Sequence, residues 1–204
     1  MTGRPCDALL CDLDGVLRHW DRTRWPDLEQ EFGLQAGALH AAFAPDQMGA
    51  VLTGLMTDEE WRAVIATTLA PQCGSAARSA ELVERWSQDV GQIDDEVLEL
   101  LVRAQLTIPV VLVTNATTRL ERDLQQLGVA DLVPRVVNSA RIGSAKPDPA
   151  IYRAAAGLAE VPANRCLFVD DTAGHVRGAE AVGMVGLVYR DVAGLREALG
   201  PVVG

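Results

Sequence analysis

The chain is poor in lysine, histidine and aromatic residues, and each shortage narrows what it can be. Of 18 basic residues against 28 acidic ones only Lys146 is a lysine, and the formal net charge is −10. That balance argues against nucleic acid or an anionic membrane as partner, since either selects a basic face. It does not argue against an anionic small molecule, because a site answers to its local charge and any bound metal. The three histidines, His19, His40 and His175, lack the spacing of a metal-ligand motif, and none is assigned to a metal. The four cysteines, Cys6, Cys11, Cys73 and Cys166, form no Cys-x-x-Cys pair and read as buried, reduced thiols. No apolar run reaches the roughly 18 residues that would span a bilayer, and the start lacks the apolar segment of a signal peptide. The chain therefore reads as cytoplasmic.

Apolar substance, by contrast, is ample. Hydrophobic residues make up 49% of 204, enough for a sizeable core without staples. The most informative stretch is Ala8-Leu9-Leu10-Cys11-Asp12-Leu13-Asp14-Gly15. An apolar run that reads as a buried strand ends in two carboxylates two residues apart, then a glycine. Paired charges at the end of a core strand are costly unless a cation or hydrogen-bond donors meet them. In open α/β sheets the carboxyl ends of strands are where ligands bind. Alone, the pattern also fits an Asp-x-Asp-Gly turn that merely caps a strand.

Three later segments bear on that choice. Ile108 to Val113 reads as a second apolar strand ending in Thr114-Asn115-Ala116. Arg165 to Val169 reads as a third, ending in Asp170-Asp171 and followed by Thr172-Ala173-Gly174. Lys146 lies between them in Ala145-Lys146-Pro147-Asp148-Pro149. Acidic pair, hydroxyl, lysine and second acidic pair, in this order, resemble the four motifs of the haloacid dehalogenase superfamily of phosphohydrolases, over about residues 7–190.

The resemblance implies a role for each residue. Asp12 would be the nucleophile that forms an aspartyl-phosphate, and Asp14 the group that protonates the leaving oxygen and then activates water. Thr114 and the Asn115 and Ala116 amides would bind phosphate near a helix start. Lys146 would hold Asp12 and the phosphoryl group. A magnesium ion would be bound by Asp12, the backbone carbonyl of Asp14 and Asp170. Asp171 is expected either in the outer metal shell or as a partner of Lys146; the doubled Asp170-Asp171 departs from the Gly-Asp-Ser form of many relatives. Arg18 and His19 fall where the superfamily carries a mobile flap, and read as solvated hinge residues or as substrate contacts. The single lysine is telling, since an ammonium is a compact point charge and a guanidinium a planar fork.

The segment from Trp20 to Gln92 reads as helical throughout. Thr57-Asp58-Glu59-Glu60 has capping-box spacing ahead of Trp61, Ile65 and Leu69, and Ala80 to Trp86 repeats at helical period. Further helices are predicted over 94–105, 117–127, 149–157 and 172–183, with strands over 133–138 and 185–189. This alternation predicts an α/β fold, a Rossmann-like, doubly wound parallel sheet with a small helical cap inserted after the first strand. In superfamily terms, 1–17 and 94–204 would form the core and 18–93 a type I cap. All four tryptophans fall in that cap and read as bundle and hinge packing rather than a substrate cage.

The function so implied is a magnesium-dependent phosphatase acting on a small phosphorylated metabolite. Alternatives are a phosphosugar mutase with the same motifs, a 2-haloacid dehalogenase, for which Asp14 would be superfluous, and a non-catalytic phospho-ligand-binding protein. A phosphonoacetaldehyde hydrolase needs a lysine in the cap, which is absent. A signalling receiver domain would not carry the helical insertion.

Overall fold

A computed structural model describes residues 6–203. In chain order its elements are β1 (Ala8–Cys11), β2 (Arg18–His19), α1 (Trp25–Phe32), α2 (Ala38–Ala41), α3 (Pro45–Leu52), α4 (Asp58–Cys73), α5 (Ala76–Ser87) and β3 (Gln92–Ile93). Then follow α6 (Asp95–Gln105), β4 (Val110–Thr114), α7 (Leu120–Gln126), β5 (Val136–Asn138), α8 (Ser139–Ile142), α9 (Pro149–Ala159), β6 (Cys166–Asp170), α10 (Ala173–Ala181), β7 (Val185–Val188) and α11 (Val192–Val203). No described helix is long and apolar enough to cross a membrane.

The central sheet is parallel, with strand order β5-β4-β1-β6-β7. Its middle strands are continuous apolar runs because both faces are covered, and alternate side chains feed separate layers. Leu9, Cys11, Val110, Leu112, Leu167 and Val169 join one cluster, packed on α6, α7 and α11. Ala8, Leu10, Val111, Val113, Cys166 and Phe168 join the other, packed on α9 and α10. The sheet is doubly wound, as the alternation of strands and helices implies. From β1 the chain proceeds outward through β4 and β5, then crosses back to β6 and β7 on the other side. The reversal places a topological switch point at the carboxyl ends of β4, β1 and β6, the position where open α/β sheets bind ligands.

Helices α1 to α5 have a buried cluster of their own, built on Phe32, Leu39, Trp61, Ile65, Leu69 and Leu82. Thr57 caps α4 as its spacing predicts, its hydroxyl accepting from Glu60 N while the Glu60 side chain accepts from Thr57 N. The segment meets the sheet domain through several contacts. A Cβ on Gly54, whose φ is +71°, would run into the Ala140 carbonyl. Asp58 accepts from the Thr117 hydroxyl at 2.8 Å and its amide donates to the Thr118 hydroxyl at 3.0 Å.

Several boundaries differ from the sequence expectation. The wholly helical reading up to Gln92 misses the antiparallel pair β2–β3, which ties the two ends of the segment together with Arg18 opposite Ile93. Two-residue strands have no period to detect. Helix α7 starts at Leu120 instead of Thr117, so the loop after β4 is longer than expected. Strand β5 starts at Val136, and α8 and α11 have no sequence counterpart.

Candidate active site

Three adjacent strand ends supply the site. Asp12 follows β1, Thr114 closes β4 and Asp170 closes β6. The ladder runs on past β1, with Asp12 N donating to the Val169 carbonyl at 2.8 Å. The Asp12 carboxylate is then fixed by the Leu13 amide at 2.7 Å on Oδ1. Lys146 arrives from the loop before α9 and puts Nζ 2.7 Å from both Asp12 Oδ1 and Asp170 Oδ2, its side chain only 1% exposed. Thr114 is buried, and its Oγ1 meets no partner among the described residues. A buried hydroxyl left unpaired carries a desolvation penalty, and here a phosphate oxygen would relieve it.

Burial drives the Asp12 carboxyl up to about 8, with the Lys146 charge opposing and Asp170 adding to the rise. Burial also raises Asp170, but bonds from His175 and Lys146 and the Thr172 amide outweigh it and hold Asp170 down at about 2. Two buried carboxyl groups thus share one ammonium, and a cation beside them would let both ionise. Asp12, Asp170 and His175 offer ligand atoms within 4.8 Å of one another. The oxygens suit a hard divalent ion, so the residues fit magnesium.

His175 adds to the sequence reading, which assigned no histidine to a metal and gave His175 no role. Its Nδ1 lies 3.1 Å from the Asp170 carboxylate, and its carbonyl accepts the Tyr152 hydroxyl at 2.7 Å. It reaches the site from the first turn of α10, five residues after Asp170. No histidine spacing signals this, because its partner is an aspartate on the preceding strand.

Other expectations shift in role. The Asn115 side chain brackets the Lys146 backbone, Oδ1 accepting from Lys146 N at 2.7 Å and Nδ2 donating to Lys146 O at 3.0 Å. It positions the lysine. The Ala116 amide, expected to face phosphate, donates to Ser139 Oγ at 3.1 Å. Neither lies at a helix start, since α7 begins only at Leu120. Asp171 is exposed and accepts from the Thr172 hydroxyl at 3.1 Å; the second partner of Lys146 is Asp170 instead. Gly15, at φ +89°, abuts the Asp171 carboxylate so closely that a Cβ would collide with it.

Asp14 is gripped rather than free. Arg18 donates to it from Nε at 2.6 Å and Nη2 at 3.0 Å, and Trp20 Nε1 donates at 2.8 Å. Arg18, expected as solvated or substrate-facing, is 3% exposed, packed under the Trp20 ring with Asp123 3.7 Å away. His19 is the exposed one, 3.6 Å from Asp94, and does not line the cavity described next.

A cavity of about 390 Å³ opens between the helical segment and the sheet domain, bordered by Asp14, Asn115 and Arg119. All four tryptophans line it, with Phe43 among them. The expectation of plain bundle packing is therefore incomplete: Trp61 does join the helical core, but the cluster also lines this cavity.

Comparison with known proteins agrees with this architecture. A family model for haloacid dehalogenase-like hydrolases matches residues 6–183, and the chain belongs to that family of hydrolases. It is 31% identical over 189 residues to phosphatase MT3486 of Mycobacterium tuberculosis, covering 87% of this chain and 84% of that protein. It is 26% identical over 205 residues to the bifunctional epoxide hydrolase 2 of Sus scrofa, covering 90% of this chain but only 36% of that longer protein. Among solved structures, a haloacid dehalogenase family enzyme of Bacteroides thetaiotaomicron, in complex with magnesium and inorganic phosphate, superposes with a TM-score of 0.72 at 22% identity. That match covers 91% of this chain and 94% of the other.

Proposed function

We propose that the chain is a magnesium-dependent phosphatase of a small phosphorylated metabolite, with 18–93 acting as a cap over a core of 1–17 and 94–204. The observation that carries the reading is Lys146 held between Asp12 and Asp170 beside the unpartnered Thr114 hydroxyl. It draws support from the 31% identical relative being named a phosphatase and from the Bacteroides enzyme binding magnesium and phosphate.

Asp12 attacks phosphorus, forming an aspartyl-phosphate as the ester P–O bond breaks. Asp14 gives a proton to the departing alcohol oxygen, then takes one from the water that attacks the same phosphorus and releases phosphate and Asp12. Thr114 donates to a phosphoryl oxygen, and Lys146 neutralises charge on both Asp12 and the transferred group. Asn115 holds Lys146 by its backbone. Asp12 and Asp170, with the Asp14 carbonyl, would hold a magnesium ion, which would supply positive charge beside the buried nucleophile and the anionic substrate.

Hydrolysis of p-nitrophenyl phosphate, with and without EDTA and beside Asp12→Asn, tests the reading. Release that needs magnesium and vanishes in the variant supports it. A folded wild type that releases nothing from any phosphate monoester overturns it.

A further inference from the structure

The cavity carries information about the alcohol part of the substrate. It borders Asp14, two residues beyond Asp12, and Asn115, one beyond Thr114. An ester whose phosphate sits at the strand ends would extend its alcohol into this space. The wall is a connected aromatic cluster: Phe43 lies 5.2 Å from Trp61, 5.2 Å from Trp86 and 5.9 Å from Trp25 between ring centroids. Three of the cavity's lining arginines are already ion-paired. Arg18 holds Asp14, Arg62 lies 2.6 Å from Asp58 and Arg119 lies 2.5 Å from Asp123. A polyol or a second phosphate would have to compete with these pairs or turn to Arg22, which lines the cavity over the Trp25 ring. Among the cavity's buried donors, Arg18 Nη1 and Arg62 Nε belong to ion pairs, and a neutral donor is left with no acceptor among the described residues: Nε1 of Trp61, which is 6% exposed. A desolvated donor against aromatic walls asks for an acceptor carried on a flat apolar body.

We propose that the cavity binds the alcohol of a phosphate monoester as a planar aromatic ring bearing a hydrogen-bond acceptor for the Trp61 N–H. The inference rests on the phosphatase reading of the strand-end site. The space, about 390 Å³, lies in the range of small-molecule pockets and accommodates a substituted ring. Ring stacking against Trp and Phe supplies affinity, and the indole N–H sets orientation.

The test uses the whole chain with magnesium and esters of primary alcohols with similar leaving ability: benzyl, 4-acetylbenzyl, glycerol 3- and glucose 6-phosphate. Expected is a kcat/KM at least ~10-fold higher for benzyl phosphate than for glycerol 3-phosphate, and roughly a further 5-fold for the acetyl ring. Trp61→Phe, which keeps the ring and loses the donor, should erase the second step. Glucose 6-phosphate matching benzyl phosphate, or an acetyl preference that survives Trp61→Phe, overturns the proposal. A second readout needs no turnover, because the tryptophans line the cavity: benzylphosphonate should quench their fluorescence at ~10-fold lower concentration than methylphosphonate. Equal concentrations overturn the proposal. Phosphate release from every ester without preference removes this inference and leaves the phosphatase. Preferential quenching with no release from any ester removes the phosphatase reading while the aromatic cavity stands.

Discussion

Arg18 holds the Asp14 carboxylate in a two-pronged grip, Nε at 2.6 Å and Nη2 at 3.0 Å. The fork comes from β2, whose pairing with β3 ties together the two ends of the helical segment, so the placement of the proposed acid–base group depends on that pairing. A planar guanidinium fixes both distance and plane.

Arg18→Met keeps the buried stem and removes the fork. It should lower kcat for an alkyl phosphate by at least ~10-fold, within the range that positioned acid catalysis contributes. The loss for p-nitrophenyl phosphate should be several-fold smaller, since that leaving group needs little protonation. Equal losses for both esters would show that Arg18 does not act through Asp14.

Asp12→Asn should abolish turnover and leave the fold intact. It should also stabilise the metal-free protein in a pH-dependent way. The folded-state Asp12 carboxyl, pushed up to about 8 by burial, is protonated together with the unfolded chain at low pH and costs nothing there. As pH rises from about 4 towards 8 the unfolded chain ionises first, and wild type loses stability that the variant keeps. The Tm advantage of the variant in EDTA should widen across that window, and magnesium should shrink it by stabilising wild type. The full shift corresponds to on the order of a few kcal/mol. A constant Tm difference from pH 5 to 8 would contradict the buried-carboxylate assignment.

Lys146→Arg conserves charge but not shape. Nζ lies 2.7 Å from two buried carboxylates and 5.8 Å from the Phe168 ring centroid, and a planar guanidinium cannot reproduce that point contact. Turnover should fall by roughly 100-fold or more, the scale for losing a positioned charge-stabilising group. Lys146→Met should unfold at markedly lower temperature, by about 3–5 kcal/mol, because it strands two carboxylates. Near-normal kinetics in Lys146→Arg would undo the argument from the lone lysine.

Asp170→Asn should raise the magnesium concentration for half-maximal activity by at least ~10-fold, the scale on which ligand-shell changes act. His175→Ala should do the same more weakly if the imidazole only braces Asp170. An unchanged magnesium titration in Asp170→Asn would remove it from the metal site.

Much of this was legible in the sequence, for reasons specific to the residues. Strands β1, β4 and β6 are buried on both faces, so each reads as an unbroken apolar run, and the polar residue that ends it stands out. Asp12, Thr114 and Asp170 could be named for that reason, and Lys146 because it has no other lysine to compete with. The structure brings these four together. What the sequence hides are contacts made by side chains that meet only in space. The bracket of Asn115 around Lys146, the grip of Arg18 and Trp20 on Asp14, and His175 beside Asp170 have no spacing to betray them. Strands β2 and β3 are too short to show a period, and the tryptophans show their position in the helical segment but not which way they face.

The burial of Lys146 has a consequence for reagents as well as for substrates. It is the single ε-amine of the sequence and it is sealed between two carboxylates. Acylating or cross-linking chemistry aimed at lysine finds none on the folded surface. Each adduct at that amine therefore records an opening of the strand-end region, so the labelling rate in rising urea becomes a clock for local unfolding at one known atom.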